Sequence, residues 1–237
     1  EEGNGEAIVL LHGLFGALSN FNQLISYFSP RYKVCIPLLP LYDLEVSETT
    51  VNGMVDYVDA FIEYKKYDRV HLIGNSLGGH VAQIYCLRKP QKVKTMTLTG
   101  SSGLFENSLG ETYPRKGDYE FVKQKTEATF YDPAMATKEQ VDEVFEIVNN
   151  RAKVIRLVSM AKSALRHNLR NDVPKMNVPV CLIWGKEDLI TPAFVAEDFH
   201  KLLPDSELHI IEKCGHAPMM EQPEKFNSIL DNFLSKN

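Results

Sequence analysis

Residues 70–90 of the 237-residue chain read VHLIGNSLGGHVAQIYCLRKP. The short apolar run at the start of this stretch predicts a buried strand, and the pattern after the glycines predicts a helix that stops at Pro90. Between the two lies Gly-Asn-Ser-Leu-Gly-Gly, which leaves almost no length for a loop. The chain must therefore turn sharply from strand to helix at Ser76.

Strand-like and helix-like segments alternate on both sides of this turn. The predicted strands cover residues 7–11, 33–37, 69–74, 93–99, 178–184 and 207–211. Segments with helical apolar spacing lie between them, and Val51, Met54, Val55 and Val58 mark one of these. The alternation predicts an α/β fold in which helices flank a mostly parallel sheet.

The alternation stops after the fourth predicted strand. Three segments there have helical periodicity, and they cover residues 119–130, 138–149 and 152–168. Thr137 and Gln140 are spaced to form a capping box at the start of the second segment. We therefore expect a helical lid at residues 102–175, inserted into a core formed by residues 1–101 and 176–237.

The turn itself is the first candidate for chemistry. Residues 74–78 match G-x-S-x-G between a predicted strand and a predicted helix, the context in which this motif marks a nucleophilic serine. Such a turn places the Ser76 hydroxyl at the carboxyl edge of the sheet, where open α/β sheets have their sites. The following helix points its N-terminus at the same place, which favours negative charge. The alternative is a glycine-rich turn with an idle serine.

A serine hydroxyl becomes a good nucleophile only when a base takes its proton. His216 is the best candidate base because it lies on a loop just after the last predicted strand. His12 follows the first strand and could also reach the cleft, although the glycine after it favours a backbone role. The other histidines lie in predicted strands (His71, His209), in predicted helices (His80, His200) or in the insertion (His167).

An imidazole base needs a carboxylate that fixes its tautomer and stabilises the imidazolium. Asp188 follows the fifth predicted strand, and the neighbouring Glu187 is the alternative. Asp188 could instead only cap the next helix, but Thr191 is the better candidate for that cap. The order Ser76, Asp188, His216, each just after a strand, is typical of one arrangement of this triad.

The chain carries four short segments in a fixed order: LLHGLFG at 10–16, GNSLGG at 74–79, GKED at 185–188 and GHAPMMEQPEKF at 215–226. Together they resemble the oxyanion loop, nucleophile elbow, acid turn and histidine loop of the α/β-hydrolase superfamily. The resemblance covers nearly the whole chain and implies that the helical insertion is the lid. It also implies an oxyanion hole formed by the backbone N–H groups of Leu14 and Leu77, with Phe15 as the alternative to Leu14.

Two features depart from that family. Many of its members have a D-x-P-G-x-G-x-S-like turn after the strand that corresponds to 33–37, whereas this chain has IPLLPLYDLEVSE at residues 36–48. The local wall of the pocket is therefore not implied by the resemblance. Members usually also begin with two further strands that precede the one at residues 7–11, so we expect either a fragment of a longer protein or a sheet that starts short.

Within the superfamily the chain resembles lid-bearing serine esterases and the carbon–carbon bond hydrolases of meta-cleavage products. Asn75 favours the second group, whereas Ala217 stands where those enzymes commonly have tryptophan. Those enzymes usually hold their acidic substrate with an arginine of the lid. The candidates for it here are Arg151, Arg156, Arg166 and Arg170. A serine at position 76 argues against dehalogenases and epoxide hydrolases, which would need an aspartate. We therefore expect carboxylic-ester hydrolysis of small acyl substrates first and carbon–carbon cleavage second, with a ligand-binding or receptor role as the alternative of another class.

Composition limits the other classes of function. The net charge of −5 and the lack of long basic runs argue against nucleic acid, and no apolar run is long enough to span a membrane. The four cysteines form no CxxC pair and no H-E-x-x-H occurs, so we expect neither a metal nor another cofactor. Scattered cysteines favour a reducing compartment, here the cytoplasm. The start at Glu1 leaves a removed signal open, and the oligomeric state is not indicated.

Overall fold

The computed structural model describes residues 1–16, 18–107 and 117–237. In these residues one six-stranded sheet has the order β2-β1-β3-β4-β5-β6, and every neighbouring pair is parallel. The strands are β1 (Ala7–Leu11), β2 (Lys33–Cys35), β3 (Val70–Asn75), β4 (Val93–Thr99), β5 (Val180–Gly185) and β6 (Ser206–Ile211). The predicted α/β fold with a mostly parallel sheet is confirmed.

Helices cover the sheet in the same part of the chain. They are α1 (Asn22–Phe28), α2 (Val51–Tyr64), α3 (Leu77–Arg88), α4 (Tyr119–Glu127), α5 (Lys138–Asn149), α6 (Arg151–Arg166), α7 (Ala193–Leu202), α8 (Pro218–Glu221) and α9 (Pro223–Lys236). Within the described ranges, each helix is either too short or too polar to span a lipid bilayer.

The two faces of the sheet have separate apolar cores because successive side chains of a strand point to opposite sides. In β1, Ile8 and Leu10 pack with residues of α1 and α9, whereas Val9 and Leu11 pack with residues of α2, α3 and α7. Since both faces are covered, β1 and β3 are buried along their whole length. This burial explains why parallel strands appear in the sequence as continuous apolar runs.

Two predicted strand ends differ from the structure by two residues, and the other differences are of one residue. The strand predicted at 33–37 already ends at Cys35, and the strand predicted at 178–184 begins only at Val180. Pro37 and Pro179 lie just outside these limits, and a proline has no N–H with which to extend a hydrogen-bonded ladder.

The insertion between β4 and β5 consists of helices α4, α5 and α6, and its described residues contain no strand. The predicted capping box of Thr137 and Gln140 is present at the start of α5. Helix α6 packs on the core, where the Ser163 hydroxyl accepts a 3.1 Å hydrogen bond from the Val51 N–H. Residues 108–116 of the predicted lid lie outside the described residues, and the division into core and lid stays a prediction.

Candidate active site

Ser76 has the backbone conformation of a sharp, strained turn. Its φ is +54° and its ψ is −121°, between the last residue of β3 and the first residue of α3. A residue other than glycine held in such a region costs of the order of 1–3 kcal/mol and persists only where the surroundings enforce it. The Ser76 N–H donates to the Thr99 carbonyl at 3.1 Å, and the Ser76 carbonyl accepts from the N–H of Ser102 at 3.2 Å. The turn predicted from the sequence is therefore present and held from β4.

Helix α3 begins in close contact with the end of β1. A Cβ atom on Gly78 would lie 2.0 Å from the carbonyl oxygen of Leu11, so only glycine fits there. A Cβ atom on Gly13 would lie 3.1 Å from the Cβ of Ser76. The loop that follows β1 therefore passes directly beside the serine.

His216 and Asp188 form a buried pair. His216 Nδ1 lies 2.8 Å from Asp188 Oδ2, and the two residues are only 5% and 3% exposed. The carboxylate can only accept here, so Nδ1 carries the proton and donates it. The second ring nitrogen, Nε2, has no hydrogen-bond partner among the residues that the structure describes.

Asp188 is itself held by the loop that contains it. Its Oδ1 accepts hydrogen bonds from the N–H groups of Ile190 and Thr191, at 2.8 and 2.9 Å. The Thr191 hydroxyl donates to Oδ2 at 2.9 Å, and the Trp184 indole N–H donates to the Thr191 carbonyl at 2.7 Å. The prediction that Thr191 caps α7 is wrong, because Pro192 precedes that helix and its first turn has no side-chain cap.

Glu187, the alternative acid, has no contact with the imidazole. Its Oε2 accepts a 3.0 Å hydrogen bond from the Cys214 N–H, and its own N–H donates to the Cys214 carbonyl at 3.0 Å. Glu187 therefore holds the backbone at Cys214, just before the histidine loop, while Asp188 binds the His216 ring.

The histidine loop is also joined to the serine turn. Asn75 Nδ2 donates 3.0 Å hydrogen bonds to the carbonyls of Thr99 and His216. A Cβ atom on Gly100, where φ is +50°, would lie 2.8 Å from His216 Nδ1, so a glycine allows the ring to lie against the end of β4. In this state no hydrogen bond joins the Ser76 hydroxyl to His216 among the described residues. Catalytic hydrogen bonds are often long without substrate and tighten when it binds.

The loop at residues 12–16 is fixed by side chains on both sides. The Leu39 N–H donates to His12 Nε2 at 3.0 Å, so His12 Nδ1 carries the proton and donates to the Gly13 carbonyl at 2.8 Å. Burial lowers the pKa of His12, which keeps the ring neutral. The Tyr42 hydroxyl donates to the Leu14 carbonyl at 2.9 Å. Neither the Leu14 nor the Leu77 N–H donates a hydrogen bond to another described residue.

Other reactive side chains are poorly placed to compete. Burial raises the pKa of the Cys86 thiol to about 12 and lowers the pKa of His80 to about 4. All four cysteines are buried and free. In the described part of the chain, no group of three or more His, Cys, Asp or Glu side chains is arranged to hold a metal ion.

The four candidate arginines of the insertion have other partners or are exposed. Arg156 Nε donates to the Leu44 carbonyl at 2.6 Å, and Arg170 forms a 2.7 Å ion pair with Asp198. Arg151 and Arg166 are exposed. None of the four contacts Ser76, Asp188 or His216.

A family model described as alpha/beta hydrolase fold matches residues 6–223. The chain belongs to the α/β-hydrolase fold family, as the four sequence segments predicted. Since the proteins that it resembles in sequence are also hydrolases, the chain is an α/β-fold hydrolase.

Two curated relatives are similar over almost the whole chain. A 2-hydroxy-6-oxononadienedioate/2-hydroxy-6-oxononatrienedioate hydrolase from a Pseudomonas species is 26% identical, over 100% of this chain and 90% of the relative. The monoacylglycerol lipase ABHD6 from Bos taurus is also 26% identical, over 98% of this chain and 76% of the relative.

Solved structures agree with this assignment. An alpha/beta hydrolase enzyme from the metagenome of lagoon sediments at Mar Chica, Morocco, is 44% identical, with 99% of this chain and 93% of that chain covered and a TM-score of 0.82. A meta-cleavage product hydrolase from Pseudomonas fluorescens is 21% identical, with 99% and 92% covered and a TM-score of 0.86. The second likeness concerns the fold alone.

Proposed function

We propose that this chain is a serine hydrolase that cleaves carboxylic esters of small acyl substrates through an acyl-enzyme. Ser76 is the nucleophile, His216 the general base and acid, and Asp188 the carboxylate that orients the imidazole. The observation that carries the proposal is the buried 2.8 Å hydrogen bond between His216 and Asp188. The backbone carbonyl of His216 also accepts a hydrogen bond from Asn75, the residue before the strained Ser76. A strained backbone and a desolvated histidine–carboxylate pair are features of nucleophilic sites.

The reaction begins when Ser76 Oγ attacks the ester carbonyl carbon and His216 Nε2 takes the hydroxyl proton. Asp188 stabilises the imidazolium that forms and keeps the proton on Nδ1. The carbonyl oxygen becomes an oxyanion, which accepts hydrogen bonds from the Leu14 and Leu77 N–H groups. One such donor contributes about 3 kcal/mol to the transition state.

The tetrahedral intermediate then collapses. The imidazolium returns its proton to the leaving alkoxide, the alcohol departs, and the acyl group stays on Ser76. A water molecule loses a proton to His216 Nε2 and attacks the acyl carbon in the second step. Collapse of that intermediate frees the carboxylic acid and restores the Ser76 hydroxyl.

We also propose that residues 102–175 are a lid over this site. The insertion is hydrogen bonded to the loops that follow β5 and β6 and to helix α3. Asn107 donates hydrogen bonds to the carbonyls of Leu189 and Ile190, in the loop that contains Asp188. The Thr129 carbonyl accepts a hydrogen bond from the His216 N–H. The His167 carbonyl accepts a hydrogen bond from His80 Nε2 on α3. These contacts support a position above the carboxyl edge of the sheet.

The test compares hydrolysis of p-nitrophenyl acetate and butyrate by wild type and by Ser76→Ala. We expect the variant to lose about 10³-fold or more of kcat, because a triad acts as a unit. Ser228→Ala, on the exposed surface of α9, is the matched control and keeps full activity. Intact mass after treatment with a fluorophosphonate should show one adduct that Ser76→Ala lacks. A wild type no faster than Ser76→Ala would instead support a ligand-binding role.

Carbon–carbon bond hydrolysis is the second candidate. The Pseudomonas relative is named as a hydrolase of 2-hydroxy-6-oxononadienedioate and 2-hydroxy-6-oxononatrienedioate, and Asn75 favours the meta-cleavage product hydrolases. Against it stand Ala217 in place of tryptophan and the engagement of Arg156 and Arg170 elsewhere. Turnover of a ring-opened dienoic diketo acid above that of both short esters would reverse this order.

A further inference from the structure

The carboxylate of Glu221 accepts hydrogen bonds from three backbone N–H groups. Its Oε1 lies 2.9 Å from the N of Gly215 and 3.3 Å from the N of Ala217. Its Oε2 lies 2.7 Å from the N of Tyr131, which belongs to the insertion. Hydrogen bonds to an ionised acceptor are about twice as strong as those between neutral groups.

The two N–H groups on Oε1 flank His216 in the sequence. The His216 N–H itself donates to the Thr129 carbonyl at 2.9 Å, two residues before Tyr131. A Cβ atom on Gly215 would lie 2.7 Å from that same carbonyl, so the two segments are packed in direct contact. The backbone that carries the imidazole is therefore held against the insertion by one carboxylate and one carbonyl.

We propose that Glu221 is a positioning residue for the base. It fixes residues 215–217 and joins them to residues 129–131, so that the His216 ring stays on Asp188 and a displacement of the insertion is transmitted to the imidazole. This inference rests on the proposed function, since it assigns Glu221 a role in that reaction. Glu221 touches no reacting atom, and it acts only through the position of His216.

The substitution Glu221→Gln tests the hydrogen bonds of the carboxylate while it keeps the size of the side chain. The amide has the shape of the carboxylate, but only one of its two polar ends can accept a hydrogen bond. Its NH₂ end would face at least one backbone N–H group, and a donor opposite a donor pushes the loop away. A displacement of about 1 Å at a catalytic group costs on the order of 10²-fold in rate.

The experiment compares Glu221→Gln with Glu224→Gln, which removes the same charge from an exposed side chain three positions away. In Glu221→Gln we expect kcat for p-nitrophenyl butyrate to fall about 10²-fold while KM changes less than about threefold. We also expect loss of the far-downfield proton resonance of the His216 Nδ1–H, which wild type and Glu224→Gln retain. All measurements are made well below the melting temperature of each variant.

A Glu221→Gln protein with a lowered melting temperature but wild-type kcat and an intact resonance would overturn the proposal. If that variant does not fold, Glu221→Asp keeps the charge on a side chain one methylene shorter, and wild-type kcat in it would overturn the proposal equally. The resonance needs no substrate. Its selective loss in Glu221→Gln supports the positioning role even if wild type hydrolyses no ester, a result that would contradict only the proposed function.

Discussion

The side-chain amide of Asn75 donates a 3.0 Å hydrogen bond to the backbone carbonyl of His216, across 141 positions of the sequence. The same amide donates to the Thr99 carbonyl at the end of β4. Since Asn75 directly precedes Ser76, this one side chain connects the strand that ends at the serine turn with the loop that carries His216. It gives a physical reason for an asparagine beside the serine that does not depend on the substrate.

Replacement of this amide should therefore slow the reaction. In Asn75→Asp a carboxylate would face two carbonyl oxygens with no proton to donate, and like partial charges would push the His216 backbone away. We expect kcat for p-nitrophenyl butyrate to fall about 10²-fold. Asn75→Ala, which removes the donor without adding a charge, should lose less. An Asn75→Asp enzyme with wild-type kcat would show that the His216 backbone does not need this bond.

The two neighbouring acids of the GKED segment should behave differently. Asp188→Asn is expected to reduce kcat by about 10⁴-fold while leaving the fold intact, because an amide cannot fix the tautomer of His216. Glu187→Gln should cost less than about tenfold, since Glu187 contacts only the Cys214 backbone. Kinetics with circular dichroism on both variants checks this pair. The reverse pattern, with Glu187→Gln the more damaging change, would contradict the assignment of Asp188.

Gly100 and Gly117 offer a matched pair of substitutions. Both have positive φ, +50° and +80°, so an alanine at either costs about 1–2 kcal/mol of backbone strain. At Gly100 the added Cβ would meet His216 Nδ1 at 2.8 Å, whereas a Cβ added at Gly117 would have no neighbouring atom within 4 Å among the described residues. We expect both variants to lose stability, and only Gly100→Ala to lose kcat, by about 10²-fold. Equal kcat values for Gly100→Ala and Gly117→Ala, at a temperature where both are folded, would show that the contact between residue 100 and His216 does not affect the reaction.

Stability at low pH should depend on His80. This side chain is fully buried, and burial lowers its pKa from 6.5 to about 4, although its hydrogen bond to the His167 carbonyl opposes the fall. Above pH 6.5 the ring is neutral in both the folded and the unfolded chain. As the pH falls from 6.5 towards 4 only the unfolded chain takes up the proton, so the folded state loses up to about 3 kcal/mol.

The measurement is the free energy of unfolding by urea at pH 7 and at pH 4.5. Titration of other groups changes both proteins alike, so the difference between wild type and His80→Gln isolates the effect of His80. We expect the variant to lose less stability between the two pH values. An equal loss in both proteins would mean that His80 is accessible to protons in the folded state.

The features that could be predicted from the sequence are those that depend on neighbouring residues. The turn at Ser76 follows from an apolar run, three glycines and a helical pattern within about twenty residues, and the structure has that turn. The positions of Asp188 and His216 follow from the same rule, since each lies on the loop after a strand, Asp188 after the buried β5 and His216 after the half-exposed β6. The limits of β2 and β5 were less accurate, because prolines beside a strand shorten the ladder.

The supporting contacts could not be predicted, because each joins segments far apart in the sequence. Glu187 and Asp188 are adjacent carboxylates on one turn, and only the fold decides which of them faces the imidazole. Thr191 has the composition of a helix cap, yet its hydroxyl binds Asp188 because α7 starts two residues later. Nothing local in MMEQP indicates that Glu221 binds backbone N–H groups on two separate segments.

The position of β6 at the end of the sheet order has a consequence for biosynthesis. The serine turn emerges from the ribosome long before the histidine loop, which follows β6. Until that strand pairs with β5, a nascent chain has the Ser76 hydroxyl without His216, the base of the proposed mechanism. Under that mechanism, a translation product that stops before residue 216 would be inert.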